Sequence, residues 1–179
     1  MRRKISIVLL VFLIQPIFKI DNRAQREMQE TIIHQSIILY CGTGEAFRYF
    51  TNNELLQSWL TELADVEPKV GGKYELFWNP EVKENNSTIG CKVTAFEKDK
   101  LISFEWRGPV QFKDFMNAAD PLTHVVVFFI PINSEKPQTE IHLIHSGWRK
   151  TGEWEEARLF FIKAWDLALS RLTVMVDNY

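Results

Sequence analysis

The sequence predicts an α+β domain in which a curved antiparallel sheet wraps a long C-terminal helix. Three observations carry that expectation. In the last segment, Gly152–Asp177, Trp154, Ala157, Phe161, Ala164, Trp165, Ala168, Leu172 and Met175 recur at steps of three and four, the spacing of one helical stripe. Between residues 31 and 146 the pattern is mostly period two, as in half-buried strands. The links between those strands are short, which implies an antiparallel meander. A helix of about seven turns with two tryptophans and a phenylalanine on one face needs a large apolar surface to lie against. Three alanines in the stripe either let a sheet approach closely or leave room beneath the helix, and both outcomes are open at this level.

Taken in order, the chain starts with Met1-Arg-Arg-Lys4 and an apolar run over residues 5–14 that only Ser6 interrupts. This reads as the n- and h-regions of a secretory signal, with cleavage near Ala24-Gln25. The expected product is exported, periplasmic or secreted, with the mature domain over residues 26–179. The run is shorter than the roughly 20 apolar residues of a spanning helix, so no stable membrane span is expected. No Cys follows to carry a lipoprotein anchor. The alternative is a true start at Met28 and a cytoplasmic protein.

Residues 31–40 (TIIHQSIILY) are β-branched and read as a strand. Two short helices follow over residues 45–51 and 53–60, the second capped by Asn52 or Asn53. They are too short to stand alone and are expected to plug one end of the sheet. Gly71-Gly72 permits a tight turn before a strand over residues 73–79, with Tyr74, Leu76 and Trp78 on one face. A polar loop covers residues 80–87. Strands are expected over residues 88–96, 101–107, 122–132 and 139–145, with a tight turn at 97–100. The longer link over residues 108–121 carries Phe112, Phe115 and Met116 and is the expected mobile lid.

Composition limits the function. With 46% hydrophobic and 25% charged residues in 179, this is one ordinary globular domain plus a short extension. Aromatic residues reach 13% and include six tryptophans, which points to a bulky core, a lined cavity, or both. Residues 1–25 hold five of the 21 basic side chains and one of the 23 acidic ones. The remainder therefore has 16 basic and 22 acidic groups, a net charge of −6. Such an acidic body gains nothing from a phosphate backbone, and nucleic acid is not an expected partner.

Chemistry-bearing motifs are sparse. His34, His124, His142 and His145 lie on separate strands or opposite faces, without metal-ligand spacing, so no metal is expected. His145 shares parity with Ile141 and Leu143 on the presumed inner face. It reads either as a polar anchor or acid/base residue in a pocket, or as a packed histidine bonded to backbone. The second is preferred because no titratable partner stands beside it. Cys41 and Cys91 read as small apolar residues, although export would permit a disulfide. Ser146 is not in a nucleophile elbow, and no glycine-rich phosphate loop is present. Glu75 and Glu105 are expected to face solvent. No catalytic residue and no cofactor is expected. The aromatic side chains Tyr74, Trp78, Phe104 and Trp106, with His145, Phe161 and Trp165, either line a pocket for a small hydrophobic or aromatic molecule or form a solid core.

The motifs VGGKYELFW (residues 70–78), LISFEW (101–106) and HSGW (145–148), followed by a Trp-containing final helix, resemble the START-like (SRPBCC) superfamily. Within it they are similar to the branch related to the C-terminal domain of the activator of the heat-shock chaperone ATPase, from residue 31 to 176. The resemblance implies a helix-grip fold, about seven strands around a long helix with a cavity between them. Members bind lipids, hormones or polyketides, act as cyclases or hydroxylase subunits, or stimulate a chaperone, so the fold does not choose among these. The preferred expectation is a non-enzymatic domain that binds a small hydrophobic ligand. The alternative is a protein-interaction module of the chaperone-activator kind. The export signal departs from that branch, because a cytosolic chaperone is not an available partner outside the cell.

Overall fold

In the computed structural model, which describes residues 32–177, the alternating segments close into an antiparallel sheet. Its strands are β1 (Ile33–Leu39), β4 (Val93–Glu97), β5 (Leu101–Trp106), β6 (Thr123–Ile132) and β7 (Gln138–Ser146), in the order β1-β7-β6-β5-β4. A separate two-stranded sheet pairs β2 (Leu63–Val66) with β3 (Tyr74–Phe77). The seven strands implied by the resemblance are thus divided five and two. The export signal expected over residues 1–25, its cleavage site and the alternative start at Met28 lie outside the described residues. Among the described residues, no helix is long and apolar enough to cross a membrane.

Alternation decides which face is buried. On β6, Val125, Val127 and Phe129 point inward, opposite His145, Leu143 and Ile141 of β7. These cross-strand pairs are the units that stabilise such a sheet. On β1, Ile33 and Leu39 continue the inner face while His34, Ser36 and Ile38 face solvent. The inner face is covered by the long helix that the sequence predicts, Gly152–Asp177. The Gln35 amide donates to the Ile162 carbonyl at 3.2 Å and ties it to β1. Its buried stripe is Trp154, Ala157, Arg158, Phe161, Trp165, Leu169, Leu172 and Val176. Arg158, Leu169 and Val176 join the buried stripe, while Ala164, Ala168 and Met175 are only half-buried. A repeat that alternates steps of three and four averages about 3.5 residues and drifts off a turn of about 3.6 residues.

The short helices α1 (Thr43–Arg48) and α2 (Asn53–Trp59) plug the end of the sheet. The rings of Phe47 and Phe50 stand 5.1 Å and 5.4 Å from Phe129 in edge-on contact. Asn52 Oδ1 accepts the Leu55 N–H at 3.0 Å and caps α2. Asn53 instead accepts the Val66 N–H at 2.8 Å and binds α2 to β2.

Three expectations need correction. The strand expected over residues 88–96 starts only at Val93. Before it the chain turns at Gly90, with φ of +82°, and the Thr88 hydroxyl accepts from Leu76 N–H and donates to the Tyr74 carbonyl, both at 2.8 Å. This stitches the β2–β3 hairpin to the segment leading into β4. The strand expected over residues 73–79 ends at Phe77, which is itself buried, and leaves Trp78 beyond it and 37% exposed. The link over residues 108–121 contains a 3-10 turn (Val110–Phe112) and the helix α3 (Lys113–Met116). Asn117 closes it by accepting the Gly108 N–H at 2.8 Å and donating back to the Gly108 carbonyl. The terminal helix, Gly152–Asp177, is therefore α4.

Leu172 is fully buried and Leu159 is 49% exposed on the same helix. Leu172→Ala should lower the unfolding free energy by roughly 2–5 kcal/mol in urea titrations. Leu159→Ala should shift it by no more than about 0.5 kcal/mol.

Candidate functional site

Beside α4, on the side of the β2–β3 hairpin, lies a cavity of about 360 Å³, within the usual size of small-molecule sites. Four tryptophans from distant parts of the chain line it: Trp59 at the end of α2, Trp78 just past β3, Trp106 at the end of β5, and Trp165 of α4. Trp106 is the centre of the group, with its ring centroid 4.9 Å from Trp165 and 5.8 Å from Trp78. Asn86 and Ser87 of the β3–β4 loop, with Pro109 and Gln111, close one side. The rest of the α4 wall is Phe160, Phe161, Ala164, Leu167, Ala168 and Arg171.

The alanines of α4 take both roles that were open. Ala157 is fully buried and lets the sheet approach. Ala164 and Ala168 are half-buried and border the cavity, so their missing side chains make its room. Trp106 and Trp165 are almost wholly buried, whereas Trp78, Phe160 and Leu167 are 37–55% exposed. The cavity thus has an aromatic floor and a mouth open to solvent.

Of the expected lining, Trp78, Trp106, Phe161 and Trp165 border the cavity. Tyr74, Phe104 and His145 lie behind its wall. Tyr74 and Phe104 stack at 3.6 Å, and the buried Tyr74 hydroxyl donates to the Phe50 carbonyl at 3.1 Å. Burial holds that phenol well above its ordinary pKa. His145 Nδ1 accepts the indole N–H of Trp165 at 3.1 Å, so its partner is a side chain and not backbone. The bond fixes the tautomer, leaving the proton on Nε2. Burial, then the charge of His124, pushes the His145 pKa down to about 3. The imidazole is therefore neutral at physiological pH.

The expected lid residues are packed against α4. The ring of Phe112 is 5.4 Å from that of Phe160, Phe115 is 5.1 Å from Trp154, and Met116 is fully buried. The part of that link bordering the cavity is Pro109 and Gln111. Arg107 and Arg171 went unnoticed in the sequence, as did Trp59 as a cavity residue. Trp59 reads as a plugging-helix residue, and nothing local marks two arginines 64 positions apart.

The ionisable side chains on the lining are the two arginines, neither of them a base or nucleophile at neutral pH. Cys41 and Cys91 are free thiols, which burial raises to about 11 and about 12. Glu75 and Glu105 accept the backbone N–H groups of Gly90 and Lys92. Among the described residues, no three His, Cys, Asp or Glu side chains converge on a metal position.

The model of the family described as Activator of Hsp90 ATPase homolog 1-like protein matches residues 43–177. No curated protein matches the chain. Among solved structures, a protein from Mesorhizobium loti superposes with a TM-score of 0.65 at 19% identity, over 82% of this chain and 97% of its own. An HSP90 activator from Plasmodium falciparum gives 0.59 at 22% identity, over 82% and 96%. The solution structure of an Aha1 dimer from Colwellia psychrerythraea gives 0.60 at 18% identity, over 79% and 92%. These likenesses establish the helix-grip fold.

The unfolded chain takes up a proton at His145 below its ordinary pKa of 6.5, whereas the folded chain resists it down to about 3. Stability present above pH 6.5 is therefore lost as the pH falls through that window, by up to about 1.4 kcal/mol per pH unit. Denaturant titrations from pH 7 to pH 5 should show a shallower loss in His145→Gln than in the parent. Equal slopes would remove His145 as the cause.

Proposed function

The chain belongs to the family of Activator of Hsp90 ATPase homolog 1-like proteins, and from that premise we propose that its helix-grip domain binds a small hydrophobic or aromatic molecule. One observation carries the reading: the 360 Å³ space walled by four tryptophans and by the two alanines of α4. A space of this size bordered by indole rings is what an apolar guest would fill, exchanging water for ring contacts. The reading includes export, on the strength of residues 1–25.

A neutral aromatic probe, N-phenyl-1-naphthylamine, should bind saturably, with its fluorescence raised. Ala164→Phe places a ring in the space and should weaken binding at least about tenfold, the effect of losing roughly 1.4 kcal/mol of contact. The far-UV circular dichroism should be unchanged, because residue 164 is only half-buried.

The family itself favours a second reading, an interaction module acting through its surface. The structure of an HSP90 activator shares the fold, and α4 exposes Leu159 and Val174 away from the cavity lining. Expression of the full chain followed by intact mass and pull-down separates the two. A product trimmed near Ala24 and recovered outside the cytoplasm supports the exported binder. An untrimmed product that captures a chaperone ATPase and stimulates it supports the interaction module.

A further inference from the structure

We infer that the guest of this cavity is an anion: an aromatic or alicyclic body whose carboxylate, sulfonate or phosphate group meets Arg107 and Arg171. The inference rests on the ligand-binding reading above and specifies the ligand's chemistry.

Charge is the first ground. Outside residues 1–25 the chain is acidic, yet the cavity lining includes two arginines and no aspartate or glutamate. Neither arginine has a carboxylate within ion-pair distance among the described residues. The charges of Glu75 and Glu105 are felt at Cys91 together with that of Arg107. Each carboxylate accepts one backbone N–H and keeps its charge, so Arg107 is compensated in part from outside the lining. On the lining itself positive charge meets no carboxylate, and an anion bound at so apolar a site is less screened than in bulk water.

Hydrogen bonding is the second and independent ground. Three of the four cavity tryptophans use their indole N–H groups: Trp59 on the Tyr49 carbonyl, Trp78 on the Leu60 carbonyl, and Trp165 on His145. Trp106 Nε1 and Arg107 Nε are buried without a hydrogen-bond partner among the described residues. Unmade bonds of buried groups are costly and uncommon. With His145 Nε2 behind the wall there are three such atoms, and two of them belong to consecutive residues that border the cavity. Both of these are donors, and both are turned from its open space, so the side chains must shift for a guest's acceptor to reach them. Asn86 Oδ1 is already occupied by the Val110 N–H, so its amide group adds further donor capacity. The surplus is one-sided, and it calls for an acceptor. A planar guanidinium beside it favours a carboxylate or another oxyanion over a neutral carbonyl.

Two probes with the same ring skeleton test this. 8-Anilinonaphthalene-1-sulfonate has a sulfonate that N-phenyl-1-naphthylamine lacks. The anion should bind more tightly by about tenfold or more, as expected for a charge-assisted hydrogen bond. Arg171→Glu alters an exposed side chain and should fold normally. It should weaken the anion about tenfold, leave the neutral probe within about twofold, and remove most of the salt dependence. Arg107→Gln should act in the same direction, and Ala164→Phe should abolish both ligands. Equal affinities that neither arginine variant changes would overturn the anionic guest and leave the apolar cavity standing. Failure of both probes to bind would overturn both readings. Anion binding that survives in Ala164→Phe would place the dye elsewhere and overturn the assignment to this cavity.

Discussion

A sheet with one apolar face and a helix with one apolar stripe must bury each other, and every other part of this domain answers to that mutual cover. Neither Val125, Val127 and Phe129 on β6 nor Trp154, Phe161 and Leu172 on α4 could face water as a set. Within the contact two directional bonds, the Trp165 indole on His145 and the Gln35 amide on the Ile162 carbonyl, orient the helix over β7 and β1. Hydrophobic burial supplies most of the free energy but little orientation. A buried donor that must reach its one acceptor supplies orientation. The link between helix and sheet is held as firmly: Arg149 lies over the Trp154 ring at 4.7 Å and donates to the carbonyls of Gly147 and Pro121.

The cavity is what this cover leaves over. A straight helix turns its small residues toward the hairpin side just where β5 ends at Trp106. The β2–β3 hairpin stands apart from the main sheet there instead of extending it. Ala164 and Ala168 would allow close packing if a strand lay opposite them. Trp78 and the β3–β4 loop stand there instead. The space thus follows from dividing the strands five and two. Phe112, Phe115 and Met116 seal the other flank against the first turns of α4.

Family membership and fold leave the chemistry to side chains that the fold does not specify. The activator family is represented here by its sheet, its grip on α4 and its aromatic motifs. In this chain an aromatic floor meets two guanidinium groups on the cavity lining, neither in an ion pair with a carboxylate among the described residues. The unpartnered donors of Trp106 and Arg107 belong to the same wall.

Local periodicity determined a good deal. Steps of two along β6 and β7 and steps of three and four along residues 152–177 predict which side chains turn inward, because those repeats are properties of the backbone itself. The cap at Asn52 and the turn at Gly71-Gly72 are equally local. Tertiary structure alone decided where the cavity opens, that Tyr74, Phe104 and His145 stand behind its wall, and that Trp59, Arg107 and Arg171 stand on it. Parity assigns a residue to a face, but not to a packed or an empty part of that face. That choice depends on how residues 59, 78, 106 and 165 converge across the chain, and no short-range pattern encodes such a meeting.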